Sequence, residues 1–279
     1  LFQNFKFKTY SLSKNIHFLK LQDLILKKIL NKKSYTIKEL KLNRSHIIDL
    51  RNNNNLMIKI ESLLKKILKR IGFNNISSMQ YPVNIRIVNS NFDDSNKKDY
   101  DTRFLHCDSW SGAPEDSLNG FIYLYYEKNS PIVKIYDTIP KNNILKFYKG
   151  KYKGAKISKS LTKEKKFSPK IGNMALWPTH TIHKTSFKNN KNSKEKWRIS
   201  LDFRIKGSNP YNLISKNNLK KFYETKMNSD GVYWHLSNSK DIKAKIINEL
   251  KKSRLQSKSA YIVRKRYINK YYKKYSNNK

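Results

Sequence analysis

The stretch Trp197-Arg198-Ile199-Ser200-Leu201-Asp202-Phe203-Arg204 alternates without a break between apolar and polar residues. Successive side chains of a strand point to opposite sides of a sheet. This stretch is therefore predicted to be a strand with two unlike faces. One carries Trp197, Ile199, Leu201 and Phe203, and the other carries Arg198, Ser200, Asp202 and Arg204. The first face requires an apolar layer against it. The second places an arginine where it can pair a carboxylate through two parallel hydrogen bonds, with Ser200 one pleat away as a further donor. Arg204 lies about 20 Å along the strand from Arg198, at roughly 3.3 Å per residue. It is expected to support Asp202 or to reach a substrate at the rim.

The N-terminal part supplies the apolar layer. Leu12, Ile16, Leu19, Leu24, Ile25 and Ile29 recur at helical spacing, beginning at a serine cap, Ser11 or Ser13. A second helix is predicted over Thr36–Leu50. A third is predicted over Asn55–Ile71, where Leu56, Ile60, Leu63, Leu64, Ile67 and Leu68 form one stripe and Gly72 is a stop. Beyond Gly72 the period falls to two. Strands are predicted at Met79–Val88, Arg103–Asp108, Gly120–Tyr126, Ile132–Tyr136, Leu145–Tyr148, Gly172–Trp177 and Trp197–Arg204, with polar loops at Asn89–Asp101 and Ser158–Pro169. Many short strands without alternating helices point to a β-sandwich or jelly roll. The division expected is 1–75 as packing helices, 76–211 as the β core and 212–279 as a basic extension. In that extension Asn217–Lys226 and Asp241–Leu250 are predicted helices, and Ser259–Lys274 is a basic helix or disordered tail.

Sixty Lys and Arg against 20 acidic residues give a formal net charge of +40. The lysines are spread along the whole chain, beside abundant Asn and Ile, which suits a composition bias. Weak, salt-dependent binding to polyanions is expected all the same. Cys107 is the one cysteine, so no disulfide forms within the chain, and a reducing, cytoplasmic setting is expected. No apolar run approaches the roughly 20 residues that span a bilayer. The opening residues carry no signal-peptide pattern, and no Met stands at the start, which leaves room for a preceding segment.

The chemistry is concentrated in His106-Cys107-Asp108. In an extended segment an imidazole and a carboxylate two positions apart share a side and can hold one metal ion together. They would be two ligands of a 2-His-1-carboxylate facial triad, the arrangement that non-haem iron(II) oxygenases use. Pro178-Thr179-His180-Thr181-Ile182-His183 offers the third. His183 is preferred, with His180 as the alternative ligand or a substrate-side residue.

His106-x-Asp108, then His183, then Arg198-x-Ser200 resembles the iron- and 2-oxoglutarate-dependent dioxygenase superfamily, on its phytanoyl-CoA hydroxylase-like side. The segment His106–Pro114, with Arg198–Lys206 and Asn209-Pro210-Tyr211, is similar to oxygenases of surface-carbohydrate biosynthesis clusters. The resemblance covers about residues 79–211, and a lysine-rich insert, Lys188–Lys196, departs from it. It implies a mainly β, α+β fold built on a double-stranded β-helix (a cupin-like jelly roll) with packing helices. It also implies Fe(II) held by His106, Asp108 and His183, and 2-oxoglutarate held by Arg198 and Ser200, with Asn84 inward beside it. Dioxygen would be consumed, 2-oxoglutarate would become succinate, and a small or sugar-linked metabolite would be oxidised. Trp110, Tyr123 and Arg204 would face that substrate, Tyr125 being an alternative to Tyr123. Two readings compete. One is an oxygenase acting on nucleic acid, suggested by two arginines six apart on the last strand and by the charge. The other is a binding module without catalysis, in which the His-Asp pair is structural.

Overall fold

The computed structural model describes residues 5–30, 50–51, 53–74, 76, 78–90, 105–108, 117–136, 147–148, 151–152, 163–187, 196–206 and 233–236. Within them lie two helices, α1 (Ile16–Leu30) and α2 (Asn54–Arg70). The strands are β1 (Lys8–Ser11), β2 (Ser78–Tyr81), β3 (Asn84–Asn89), β4 (Ser117–Tyr126), β5 (Ile132–Tyr136) and β6 (Phe147–Tyr148). They continue with β7 (Lys151–Tyr152), β8 (Glu164–Lys165), β9 (Asn173–Pro178), β10 (His183–Ser186), β11 (Trp197–Lys206) and β12 (Tyr233–Leu236). The fold is mainly β with two helices, and every strand pairing is antiparallel.

A large sheet runs in the order β1-β9-β4-β11-β2-β12, with β3 also on β11. A small sheet runs β10-β5-β8. The two faces of the large sheet have different partners. Ile85 and Ile87 of β3, Ile122 of β4, Met174 and Leu176 of β9, and Ile199, Leu201, Phe203 and Ile205 of β11 join one core with α1 and α2. Phe18, Leu21 and Ile25 of α1 and Leu56, Ile60, Leu64 and Ile67 of α2 reach into it. The opposite face, through Phe121, Tyr123, Ala175 and Trp177, packs on Val133 and Ile135 of the small sheet. Strand β11 thus divides its side chains as its alternation requires, with the polar ones directed between the sheets.

Several boundaries differ from the sequence reading. The cap of α1 is Asn15, whose Oδ1 accepts from the amides of His17 (2.9 Å) and Phe18 (3.2 Å). The serines before it stand in and beside β1, which adds to the edge of β9. Asn53 caps α2 by accepting from Leu56 N at 3.0 Å. The single strand expected over Met79–Val88 is two strands, because Pro82 has no amide hydrogen for a ladder and interrupts it. The lysine-rich loop Ser158–Pro169 contains the short strand β8, paired to β5. Of the predicted strand Arg103–Asp108, the described part forms one bridge, His106 to His183. The predicted helix Thr36–Leu50, except Leu50, lies outside the described residues. So do the predicted helices at 217–226 and 241–250, the segment 259–274 and the insert 188–196.

Strand β4 carries a bulge where it meets Ile199 and Ser200 of β11. The carbonyl of Leu124 is turned to the helices there and accepts from Gln22 Nε2 of α1 at 2.7 Å. No helix among the described residues is long and apolar enough to cross a membrane.

Candidate metal centre between the sheets

His106 and His183 face each other as a hydrogen-bonded backbone pair. His106 N donates to His183 O at 3.0 Å, and His183 N donates to His106 O at 2.8 Å. Residues so paired carry their side chains to the same side, and the two imidazole rings stand 4.3 Å apart. Asp108 follows two residues after His106. The ligand atoms of His106, Asp108 and His183 all lie within 4.8 Å of one another, a group able to hold a metal ion. His180 sits in the turn after β9, outside this group.

The protonation states suit a metal. Nδ1 of His183 lies 3.0 Å from the carbonyl of Thr181. A carbonyl only accepts, so Nδ1 carries the proton and Nε2 keeps its lone pair. That Nε2 is 3.8 Å from Asp108 Oδ1. Burial lowers the His183 pKa, against the pull of Asp108, which favours neutral imidazole. For Asp108, burial raises the pKa, but Arg204, His183 and His106 outweigh it and hold the carboxyl well below the usual carboxylate range. Two imidazoles and one carboxylate form the donor set that a divalent first-row metal takes.

Arg204 is on Asp108, and this corrects the expected contact with Asp202. Its Nη2 lies 2.6 Å from Asp108 Oδ2, and its Nε lies 3.2 Å from the same oxygen. The carboxylate of Asp202 is held instead by Arg86 of β3 and accepts from Ser200 Oγ at 3.2 Å. Ser200 therefore directs its hydroxyl to Asp202. Trp177 lies edge-on to His183, with ring centroids 5.4 Å apart. Across β9, β4 and β11, Trp177, Asn119 and Arg204 stand opposite one another in register and form a floor beside the candidate centre.

Arg198 is 1% exposed. Its Nη1 donates to Pro131 O at 3.1 Å, and its Nε has no hydrogen-bond partner among the described residues. No carboxylate among them pairs with it. Its guanidinium lies over the ring of Phe121 at 5.4 Å. Phe121 is opposite Asp202, whereas Arg198 itself is opposite Tyr126. The side chain has therefore run back along the strand towards Arg204. Phe121 and Asn119 are next neighbours on one face, roughly 6.6 Å apart, and Asn119 touches the arginine that touches Asp108. The guanidinium thus lies over the strand whose Asn119 supports the arginine on Asp108.

Tyr123 is fully buried and packs against Phe121, Phe167 and Tyr126. Its hydroxyl accepts from Val133 N at 3.4 Å, and burial pushes its pKa up to about 12. Tyr125 lies past the bulge and packs on the helix side, its hydroxyl on Glu127 at 3.0 Å. Asn84 stands opposite Asp202, on the inward side, and its Oδ1 has no hydrogen-bond partner among the described residues. Trp110 lies outside the described residues. The sequence reading assigned nothing to Gln80, Asn119 or Trp177. A usable signal was present, since Gln80 stands between Met79 and Tyr81 and Asn119 follows Leu118 in largely apolar surroundings.

No family model matches the chain, and no curated protein does. Solved structures do. The chain is similar to the non-haem α-ketoglutarate-dependent epimerase SnoN from nogalamycin biosynthesis, with 8% identity over 71% of this chain and 76% of that one, TM-score 0.35. It is similar to an N-substituted L-amino acid dioxygenase from Burkholderia ambifaria AMMD solved in complex with α-ketoglutarate, with 10% identity over 71% and 81%, TM-score 0.38. It is also similar to CytC3 solved with Fe(II) and α-ketoglutarate, with 10% identity over 76% and 79%, TM-score 0.37.

Proposed function

We propose that the chain is a non-haem oxygenase that uses Fe(II) and 2-oxoglutarate, built on a double-stranded β-helix core. One observation carries the reading. A His106, Asp108, His183 donor set occurs together with Arg198, a buried guanidinium without a carboxylate partner among the described residues. A lone buried charge is costly, and an anion placed against it removes that cost. The iron and the 2-oxo acid, when bound, supply the oxidising chemistry, in which dioxygen converts 2-oxoglutarate to succinate and carbon dioxide while a substrate C–H bond is oxidised.

The residues divide the work. His106, Asp108 and His183 would hold the metal. The Thr181 carbonyl fixes the His183 ring and its tautomer. Arg198 takes the distal carboxylate of the 2-oxo acid, with Ser200 and Asn84 beside it. Phe121, Tyr123 and Trp177 exclude water from the space between. The substrate class we assign is a small or sugar-linked metabolite.

Anaerobic titration with Fe(II) and 2-oxoglutarate tests this. The wild-type chain is expected to develop the visible absorption of a metal-bound 2-oxo acid, and Asp108→Ala to remove it. Arg198→Ala should weaken 2-oxoglutarate binding while Fe(II) binding persists. A folded, metal-stripped chain that yields no absorption would refute the reading. For the substrate class, nucleotide-linked and simple glycosides are expected to stimulate 2-oxoglutarate consumption. Stimulation by alkylated oligonucleotides alone would move the activity to nucleic acid.

A further inference from the structure

We infer that Arg204 is a positioning residue that restricts Asp108 to one oxygen at the metal. This deepens the proposed function and rests on its metal site. Both contacts from Arg204 to Asp108 fall on Oδ2, at 2.6 and 3.2 Å. The other oxygen, Oδ1, is the one 3.8 Å from His183 Nε2. The two oxygens of one carboxylate therefore have separate tasks.

The guanidinium is itself clamped from both sides. Its Nε donates to Asn119 Oδ1 at 3.0 Å, and its Nη1 donates to Gln80 Oε1 at 3.0 Å. Asn119 is on β4 and Gln80 on β2, the strands that flank β11 on its two sides. A planar fork fixed by an amide from each neighbour cannot rotate away from Asp108 without breaking a further hydrogen bond. Gln80 and Asn119 are both buried, where an unmade bond is costly.

The consequence is a coordination count. A metal held through three protein atoms would have positions to spare for a chelating 2-oxo acid and for dioxygen. A carboxylate bound through both oxygens would occupy one of these. Arg204, by engaging Oδ2, keeps that position open.

Co(II) is the probe, because its visible absorption reports coordination without turnover. The purified full chain is titrated with Co(II) as wild type and as Arg204→Gln. The variant is expected to bind roughly 10- to 100-fold more weakly, with altered band shape as Asp108 turns to offer both oxygens. Equal affinity and an unchanged spectrum in both proteins would overturn the inference and leave the metal reading intact. A wild-type chain that leaves Co(II) free would overturn the metal reading, and the inference with it. If circular dichroism shows Arg204→Gln unfolded, Gln80→Met carries the test. It loosens one side of the clamp and is expected to change the spectrum in the same direction, and a wild-type spectrum there would overturn the inference.

Discussion

At the scale of single residues, the molecule holds two arginines on one strand face with opposite fates. Arg204 is fully engaged, whereas Arg198 is buried and, among the described residues, has one carbonyl and one aromatic face for company. Replacing a buried charge by an apolar side chain of similar volume is neutral or stabilising by about 1–4 kcal/mol in favourable cases. Arg198→Met is therefore expected to raise the urea midpoint of the ligand-free chain while abolishing 2-oxoglutarate binding. A lowered midpoint would mean that Arg198 serves the fold instead. Among the histidines, His183→Ala should abolish Fe(II) binding and His180→Ala should leave it near wild type, as read by the same anaerobic titration. The proximity of His106 and Asp108 was legible in the sequence because two positions apart is a local relation. The partner of Arg204 was not. Distance along β11 says nothing about which loop lies above it, and Asp202 was already taken by Arg86 from a strand more than a hundred residues earlier in the chain.

At the scale of elements, β11 and β4 are the pair on which the site depends. Gly120 stands opposite Phe203, and a Cβ built there would meet the Phe203 ring at 2.1 Å. Gly120→Ala must displace a buried ring between two helices and a sheet. Overpacking of this kind costs about 1–3 kcal/mol, and chemical denaturation should show the loss with metal affinity less affected. Gln22→Ala should cost about 1 kcal/mol, because it leaves the Leu124 carbonyl at the bulge without its side-chain donor. The alternation of β11 made its two faces readable from sequence alone. The bulge was not readable, since Leu124 and Tyr125 look like any other apolar pair within Phe121–Tyr126. Nor was β1: four residues rich in Lys, Thr and Ser become a strand only because the edge of β9 is there to pair them.

At the scale of the whole molecule, the large sheet separates stability from chemistry. One face is covered by α1 and α2, and the other meets the small sheet around the candidate centre. Removing residues 1–75 would bare Ile85, Ile87, Ile199, Leu201, Phe203 and Ile205 at once. At roughly 25 cal/mol per Å² of apolar surface, that exposure exceeds a typical net stability of about 5–15 kcal/mol. The truncated chain is expected to be insoluble or unfolded by circular dichroism, whereas helices merely appended to a self-sufficient core would leave it folded. The stripe of α2 was legible as a stripe, but that of α1 was only partly so, because Ile16 and Leu19 are exposed while Phe18, Leu21 and Leu26 are buried. The strand face of β11 named the surface both helices needed.

The backbone pair between His106 and His183 has a consequence for which metal the candidate centre would carry. The ladder holds the two imidazoles together whether or not an ion is present, so loading requires no refolding and little search. Such a site does not choose by shape. Divalent ions compete for it in the order set by their own ligand affinities, in which cobalt, nickel, copper and zinc all exceed iron(II). The identity of the occupant is then settled by supply in the surroundings, and a chain exposed to excess zinc would fill with an ion that has no redox chemistry. Chelation followed by iron under reducing conditions should restore it without a denaturation step.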